Sequence, residues 1–302
     1  MRSPADAPWQ ADTIFGHLCW LERHREGETA LRDFLEPFKE GEPSFLLSDG
    51  FPGDLLPKPL FFKPPSEDKR DSFREGRRVR KLKYFSYAEF LRAIGGERFV
   101  PAEIQEASKQ HPSRGRELPP RVVVALKNQV SRLTGTTGEA GTLFSVIECW
   151  MPEVTLYLKI TGDYDVEHLK QLFTWLAASG YGKRKSVGYG AIVDHEFDEF
   201  PGFTEPAQAN GFVSLSSFVP AENDPVDGAW QTRIKYGRLG EEYAVSEVPF
   251  KRPVMMFTAG SAFRDAPIIK DVYGRMVTNV SPAHPEVVQY GYALPVPCVC
   301  KA

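Results

Sequence analysis

Apolar positions along the chain recur with two periods, and the switches between them mark the elements. In DTIFGHLCWLERHREG, Ile14, Phe15, Leu18 and Leu21 fall at helical spacing, so a helix is expected from about residue 12 to Gly27. Asp12 or Thr13 is expected to cap it, because either side-chain oxygen can accept from a free backbone N–H. TALRDFLEPF predicts a second amphipathic helix that ends at Pro37. SFLLSDGFPGDLLPKPLFFKPP is apolar but rich in Pro and Gly, which predicts extended, loop-rich chain. SYAEFLRAIGG opens on a capping box, Ser86 with Glu89, and closes on Gly95 and Gly96. RVVVALKNQV, TLFSVIECWM and EVTLYLKI read as strands, with TGTTGEAG as a hairpin tip. Asp165 should cap VEHLKQLFTWLAASG, whose Leu169, Leu172, Phe173 and Leu176 share one face, and Gly180 should stop it. GAIVDHEF, after a Gly-rich loop, predicts one more strand. Beyond about residue 205, GFVSLSSFVP, WQTRIKYGRL, EEYAVSEV, KRPVMMFTAGSAF and VVQYGYALPVP all predict strands, with no strong helix.

The order through residue 197 is a β-α-β-β-α-β ferredoxin-like pattern lacking its first strand. MRSPADAPWQ carries two prolines and reads as a poor strand, so the missing strand is expected upstream of Met1. The expected fold class is α+β in two parts. Residues 1–200 form a ferredoxin-like unit with an insertion at 40–120 and a Gly-rich loop at 180–190. Residues 201–302 form a β-rich unit.

Composition narrows the function classes. With 302 residues, 42% apolar and 25% charged, the chain has the profile of a globular protein of about two domains. No apolar run approaches the ~18–20 residues of a spanning helix, and the N-terminus has no apolar signal core; a cytoplasmic protein without membrane contact is expected. A net charge of −3 excludes a uniformly basic coat protein, so any nucleic-acid site must be a local patch. Cys19, Cys149, Cys298 and Cys300 read as free thiols of a reducing compartment. Cys298 and Cys300 alone make a weak metal signal. The six histidines show no HExxH-type spacing, and GxSxG is absent. No metal or cofactor is expected.

Three segments remain as candidates for chemistry. In the loop Gly180–Gly190, glycines let backbone N–H groups approach an anion. Lys183, Arg184 and Lys185 add charge there, Ser186 and Gly188 lie beside them, and Tyr181 and Tyr189 offer faces for base stacking. Gly182 belongs to the same run. In LKNQVSRLTGTTGEAGTLFSV, Lys127, Asn128 and Arg132 alternate with apolar neighbours and predict a polar, basic strand face. The basic run at 69–83 can contact phosphates or stand as a solvated loop. His17 reads as structural or RNA-facing rather than catalytic.

Five stretches in order, QADTIFGHLCW, FLLSDGFPGDLLPKP, NQVSRLTGTTGEAGTLF, SGYGKRKSVGYG and PVMMFTAGSAF, resemble the fourth subunit of the type III-A CRISPR effector (Csm) complex, within the RAMP superfamily. The resemblance spans residues 9–302. It implies two ferredoxin-like (RRM-like) domains and a non-catalytic subunit in antiviral defence. Such a subunit holds the 5′ handle of CRISPR RNA and bridges the large polymerase-like (palm-domain) subunit to the backbone RAMP subunit, with target RNA near the handle. It further implies that Gly180–Gly190 wraps the handle and that Asp12, Thr13, Phe15, Gly16 and His17 lie against the same RNA. By the same resemblance, the hairpin from Asn128 to Leu143 is a thumb, and Gly260, Ser261 and Phe263 of the TAGSAF turn add backbone contacts. The alternatives are a metal-independent endoribonuclease processing CRISPR precursor RNA, and a structural bridge with little RNA contact.

Overall fold

The computed structural model describes residues 5, 8–63, 78–101, 121–137, 143–151, 153–182, 184–265 and 268–300. Helix α1 (Ala11–Arg25) forms where the helical period predicts it, but its cap is remote. Gln10 occupies the N-cap position without a side-chain cap, and neither Asp12 nor Thr13 serves. Instead the Ala11 N–H donates to Asp49 Oδ1 at 2.9 Å. Asp49 Oδ2 accepts from Ser217 Oγ at 2.9 Å. Burial pushes the Asp49 carboxyl above its usual range, while the Ala11 and Ser217 bonds favour its charged form.

Helix α2 (Glu28–Glu40) runs through Pro37 rather than ending there. Pro37 sits in its final turn, where only one interior bond is forfeited, and Gly41 at φ 87° closes the helix in the left-handed region. The Pro/Gly-rich segment yields short strands β1 (Phe45–Leu47), β2 (Phe51–Pro52) and β3 (Leu56–Pro57). β3 pairs with β4 (Tyr84–Phe85). Helix α3 (Tyr87–Ile94) shows the predicted reciprocal capping box of Ser86 and Glu89. Residues 64–77, which hold part of the basic run, lie outside the described residues.

β5 (Arg121–Asn128) and β6 (Leu143–Trp150) form an eight-residue antiparallel ribbon, Arg121 opposite Trp150 and Asn128 opposite Leu143. Ala5 adds an isolated antiparallel bridge to Cys149 on β6. β7 (Val154–Thr155) pairs with β2, and β8 (Leu158–Ile160) with β1. Helix α4 (Val166–Ser179) is capped by Asp165, which accepts from the Glu167 and His168 N–H groups, and buries Leu169, Leu172, Phe173 and Leu176. The strand expected over GAIVDHEF does not form: residues 191–200 have no regular structure. That segment lies along α4, with Phe197 edge-on to Phe173 and His195 Nε2 3.1 Å from Thr174 Oγ1. Contact with a helix has replaced strand pairing.

In the last third, β9 (Gly211–Ser214), β10 (Gly228–Ala229), β13 (Ala262–Arg264) and β14 (Pro295–Cys298) make a four-stranded sheet in the order β10-β13-β9-β14. β11 (Thr232–Lys235) and β12 (Val254–Phe257) form a second ribbon. EEYAVSEV is not a strand: Glu241–Val245 is a 3₁₀ turn. Its two leading glutamates favour a helical N-terminus, where the backbone dipole is positive.

The result is a mixed α+β fold whose buried residues join both halves of the chain. Phe15, Phe38 and Phe45 pack with Tyr290 and Tyr292 in one cluster. Tyr290 Oη accepts from the Leu47 N–H at 3.0 Å, and Tyr292 Oη donates to the Phe38 carbonyl at 2.5 Å. Among the described residues no helix is long and apolar enough to cross a membrane.

Candidate nucleic-acid interface

The start of α1, the Gly-rich loop and the segments 235–251 and 286–290 enclose an open cleft of about 1020 Å³. Among the described residues six cations line it, Arg23, Arg184, Lys185, Lys235, Arg238 and Lys251, against four carboxylates, Asp12, Glu28, Glu241 and Glu286. A chain of net charge −3 therefore concentrates positive charge locally, the condition for attracting a polyanion.

The Gly-rich loop is a tied structure rather than a free turn. Tyr181 N–H donates to the Gly190 carbonyl at 3.0 Å, pinching the loop at its base. Gly190 has φ +65°, and a Cβ there would stand 1.9 Å from the Tyr181 carbonyl oxygen, so only glycine fits. His17 holds the loop from α1: its Nε2 accepts from the Gly182 N–H at 3.0 Å. Burial, reinforced by nearby Lys185, lowers the His17 pKa to about 4, so the ring is neutral and its lone pair is occupied. Lys185 Nζ reaches across the cleft to Glu241 Oε1 at 2.7 Å. That pair holds the Glu241 carboxyl below its usual pKa.

On the opposite wall Lys235 contacts Asp12 Oδ2, Thr13 Oγ1 and Gln10 Oε1, the last two at 2.8 and 3.1 Å. Lys251 donates to the Val288 carbonyl and to Gln289 Oε1, both at 2.9 Å. Desolvation lowers its pKa to about 8, partly opposed by Asp12. Among the described residues Arg184, Arg238 and Lys251 pair with no carboxylate, but Lys251 is part-buried and held by its two acceptors, which leaves Arg184 and Arg238 as the cleft cations whose charge no carboxylate offsets at the open surface.

The structure sorts the sequence candidates. It brings Asp12, Thr13, Phe15, Gly16, His17, Tyr181, Gly182, Arg184, Lys185 and Ser186 to the cleft lining. Not all of them offer a free group. Phe15 is a core ring, and Asp12 is spent on Lys235. Tyr181 has no open face: it is buried, stacks on Trp9 at 4.2 Å and donates its hydroxyl to the Pro8 carbonyl. Lys183 lies outside the described residues. Gly180 is the C-cap of α4, with φ 82°, and Gly188, with φ 87°, closes a 3₁₀ turn at Lys185–Val187.

Tyr189 faces the β5–β6 ribbon. Its hydroxyl donates to Glu148 Oε1 at 2.7 Å, and Lys127 Nζ pairs with the same oxygen at 2.9 Å. The ribbon face carrying Lys127 is thus turned onto the Gly-rich loop. The open face carries Val122, Val124, Leu126, Leu143 and Ile147, each more than half exposed. The expected basic face is not assembled: Lys127 points to the loop side and the other face is aliphatic. Asn128 is exposed at the end of that aliphatic face opposite Leu143, Arg132 is exposed beyond the strand, and residues 138–142 of the tip lie outside the described residues. Gly260, Ser261 and Phe263 are buried. A Cβ on Gly260 would meet the Lys58 carbonyl oxygen at 2.7 Å, so that turn is a packing element.

Sequence reading missed Lys235, Tyr236, Arg238, Glu241, Phe250 and Lys251. For Lys235, Tyr236 and Arg238 the signal was the alternation of cations with apolar residues in TRIKYGR, which reads as a strand without saying what it faces; Glu241, Phe250 and Lys251 lie beyond that stretch. Among the described residues no group of three or more His, Cys, Asp or Glu side chains is placed to hold a metal ion.

No family model matches the sequence, and no curated protein does. Solved structures do. A chain of the Csm3-Csm4 subcomplex in the type III-A CRISPR-Cas interference complex aligns at TM-score 0.62 with 15% identity, over 99% of this chain and 97% of that one. A chain of the Csm1-Csm4 cassette in complex with cA4 aligns at 0.60 with 20% identity, over 100% and 96%. Another, from the cassette in complex with pppApA, aligns at 0.59 with 20% identity, over 99% and 95%. At such identities the likeness speaks for the fold, and this chain carries that fold from end to end.

Proposed function

We propose that the chain is a non-catalytic subunit of a type III-A CRISPR effector, related to Csm4, and that its cleft holds the 5′ handle of CRISPR RNA. Csm4 is the component that the two matched assemblies share by name. The observation that carries the reading is the convergence of α1, the Gly-rich loop and the β11–β12 ribbon on one cleft with uncommitted cations. Arg184 and Arg238, which no carboxylate offsets among the described residues, can meet phosphates, and loop backbone can approach where glycines replace side chains. On this reading residues 1–200 and 201–302 are two ferredoxin-like halves with the RNA path between them, and the protein works in the cytoplasm.

The endoribonuclease alternative needs a general base near a scissile phosphate. His17, the histidine nearest the loop, has its lone pair engaged by Gly182, which argues against that role. The bridging role gains support from the open face of β5–β6, whose exposed aliphatic side chains suit the large or backbone subunit better than a phosphate chain.

The test is binding of fluorescent repeat-derived RNA by the full chain, with and without EDTA. Binding that weakens steeply with salt, with the RNA intact, is expected. The Arg184→Ala, Lys185→Ala double variant should bind at least roughly a hundredfold more weakly, given about 1.5–3 kcal/mol for each charged hydrogen bond. Unchanged affinity in that variant would remove the loop from the site. Cleavage in EDTA would favour the ribonuclease.

A further inference from the structure

The β11–β12 ribbon turns one face inward, where Lys235 and Lys251 anchor it, and leaves the other open. Side chains alternate along a strand, so Ile234, Tyr236 and Arg238 share the outer face. Arg238 and Phe250 stand opposite one another in an antiparallel bridge. Tyr236 is 71% exposed and Phe250 58%. The Arg238 guanidinium lies over the Phe250 ring, 5.8 Å from its centroid. Arg238 and Arg252 donate to the Ala244 and Asn279 carbonyls, and no carboxylate pairs with either among the described residues. Tyr236, Arg238 and Phe250 also line the cleft, so this face continues it outward.

Two exposed aromatic rings, one of them under the Arg238 guanidinium and two residues along the chain from Arg252, form a surface with a defined complement. Rings offer π-faces to bases, and guanidiniums attract phosphates. A protein partner would need carboxylates matched to both arginines, whereas a polynucleotide supplies anions and flat bases together. We propose that Tyr236 and Phe250 form a stacking platform for unpaired bases of single-stranded RNA where it leaves the cleft, with Arg238 and Arg252 on its phosphates. The inference rests on the RNA-binding reading above and extends it to a subsite outside the Gly-rich loop. Both rings are solvent-exposed, so they can be removed without opening a cavity.

The experiment measures anisotropy of a fluorescent mixed-sequence single-stranded RNA and of an abasic strand of the same length and backbone. Full-length wild type, the Tyr236→Ala, Phe250→Ala double variant and Tyr236→Trp are compared. The double variant should lose roughly tenfold or more on RNA, from the energy of stacked bases, and keep its affinity for the abasic strand. Tyr236→Trp should bind RNA at least as well as wild type. Unchanged RNA affinity in the double variant overturns the platform, including the case where only binding of a protein partner is lost. Equal losses on both strands overturn it too, because they report charge or fold rather than stacking. If Arg184→Ala with Lys185→Ala weakens RNA binding and the double aromatic variant does not, the cleft stands and the platform falls. If wild type binds no RNA, both fall.

Discussion

The two ribbons of this molecule, β5–β6 and β11–β12, are built alike and finished differently. Each is a two-stranded antiparallel sheet with a lysine–carboxylate pair on its inner face, internal to β5–β6, where Tyr189 ties Glu148 to the Gly-rich loop, and joining β11–β12 to α1 in the second. Lys127 meets Glu148 on the first, and Lys235 meets Asp12 on the second. Each leaves its other face open. The open face of β5–β6 carries Val122, Val124, Leu126 and Ile147, while that of β11–β12 adds to Ile234 and Met255 the rings of Tyr236 and Phe250 and the guanidinium of Arg238. Backbone geometry does not separate them; side-chain chemistry does. An uncharged aliphatic face is complementary to another protein, and a face of rings and guanidiniums to single-stranded RNA.

The largest effect should come from the anchors. Lys235 and Asp12 are 17% and 2% exposed at the side chain, so Lys235→Met leaves a buried carboxylate with Gln289 as its remaining contact. The expected loss is about 3 kcal/mol of unfolding free energy, measured by urea denaturation. Lys127→Met breaks a pair whose lysine is 41% and glutamate 10% exposed, and Glu148 keeps the Tyr189 hydroxyl as a donor, so its urea midpoint should move less than that of Lys235→Met. Equal losses in the two variants would erase the distinction between a buried anchor and an exposed one.

A smaller effect should separate the open faces. Arg238→Glu with Arg252→Glu should weaken RNA binding roughly tenfold and flatten its dependence on salt, because two phosphate contacts are lost. Val124→Asp with Ile147→Asp should leave RNA affinity within about twofold of wild type, since that face makes no phosphate contact on our reading, and abolish co-purification with the large and backbone subunits. The opposite outcome would exchange the two assignments.

The smallest effect concerns the cleft itself. Glu241 engages Lys185 at 2.7 Å and competes with any phosphate for it. Glu241→Gln should tighten RNA binding a few-fold at low salt, with the gain fading as salt screens the carboxylate. Weaker binding would mean that Glu241 orients Lys185 rather than blocking it.

Periodicity and turn chemistry are local properties, and what rested on them was legible. α1, α2, α3 and α4 stand where the helical spacing predicts, and Asp165 and the Ser86–Glu89 box cap as read. The Gly-rich loop was legible as a site candidate because its composition is unusual within one short window. The failures are the features that depend on distant chain. The cap of α1 is Asp49, 38 residues away, and no local pattern announces it. GAIVDHEF has strand composition, yet it lies against α4 through Phe197 and His195.

The same division holds for the site. The sequence by itself determined the helices, the β5–β6 ribbon and the presence of a glycine-lined cationic loop, because each follows from spacing and residue type over a few neighbours. Tertiary structure alone decided which charges remain uncommitted and which rings remain open. It consumed Tyr181, Phe15 and Asp12 in packing and pairing, and it brought Lys235, Tyr236, Arg238 and Lys251 to a cleft begun by residues more than two hundred positions earlier. Burial and pairing depend on what the fold brings against a side chain, and a linear pattern carries no record of that.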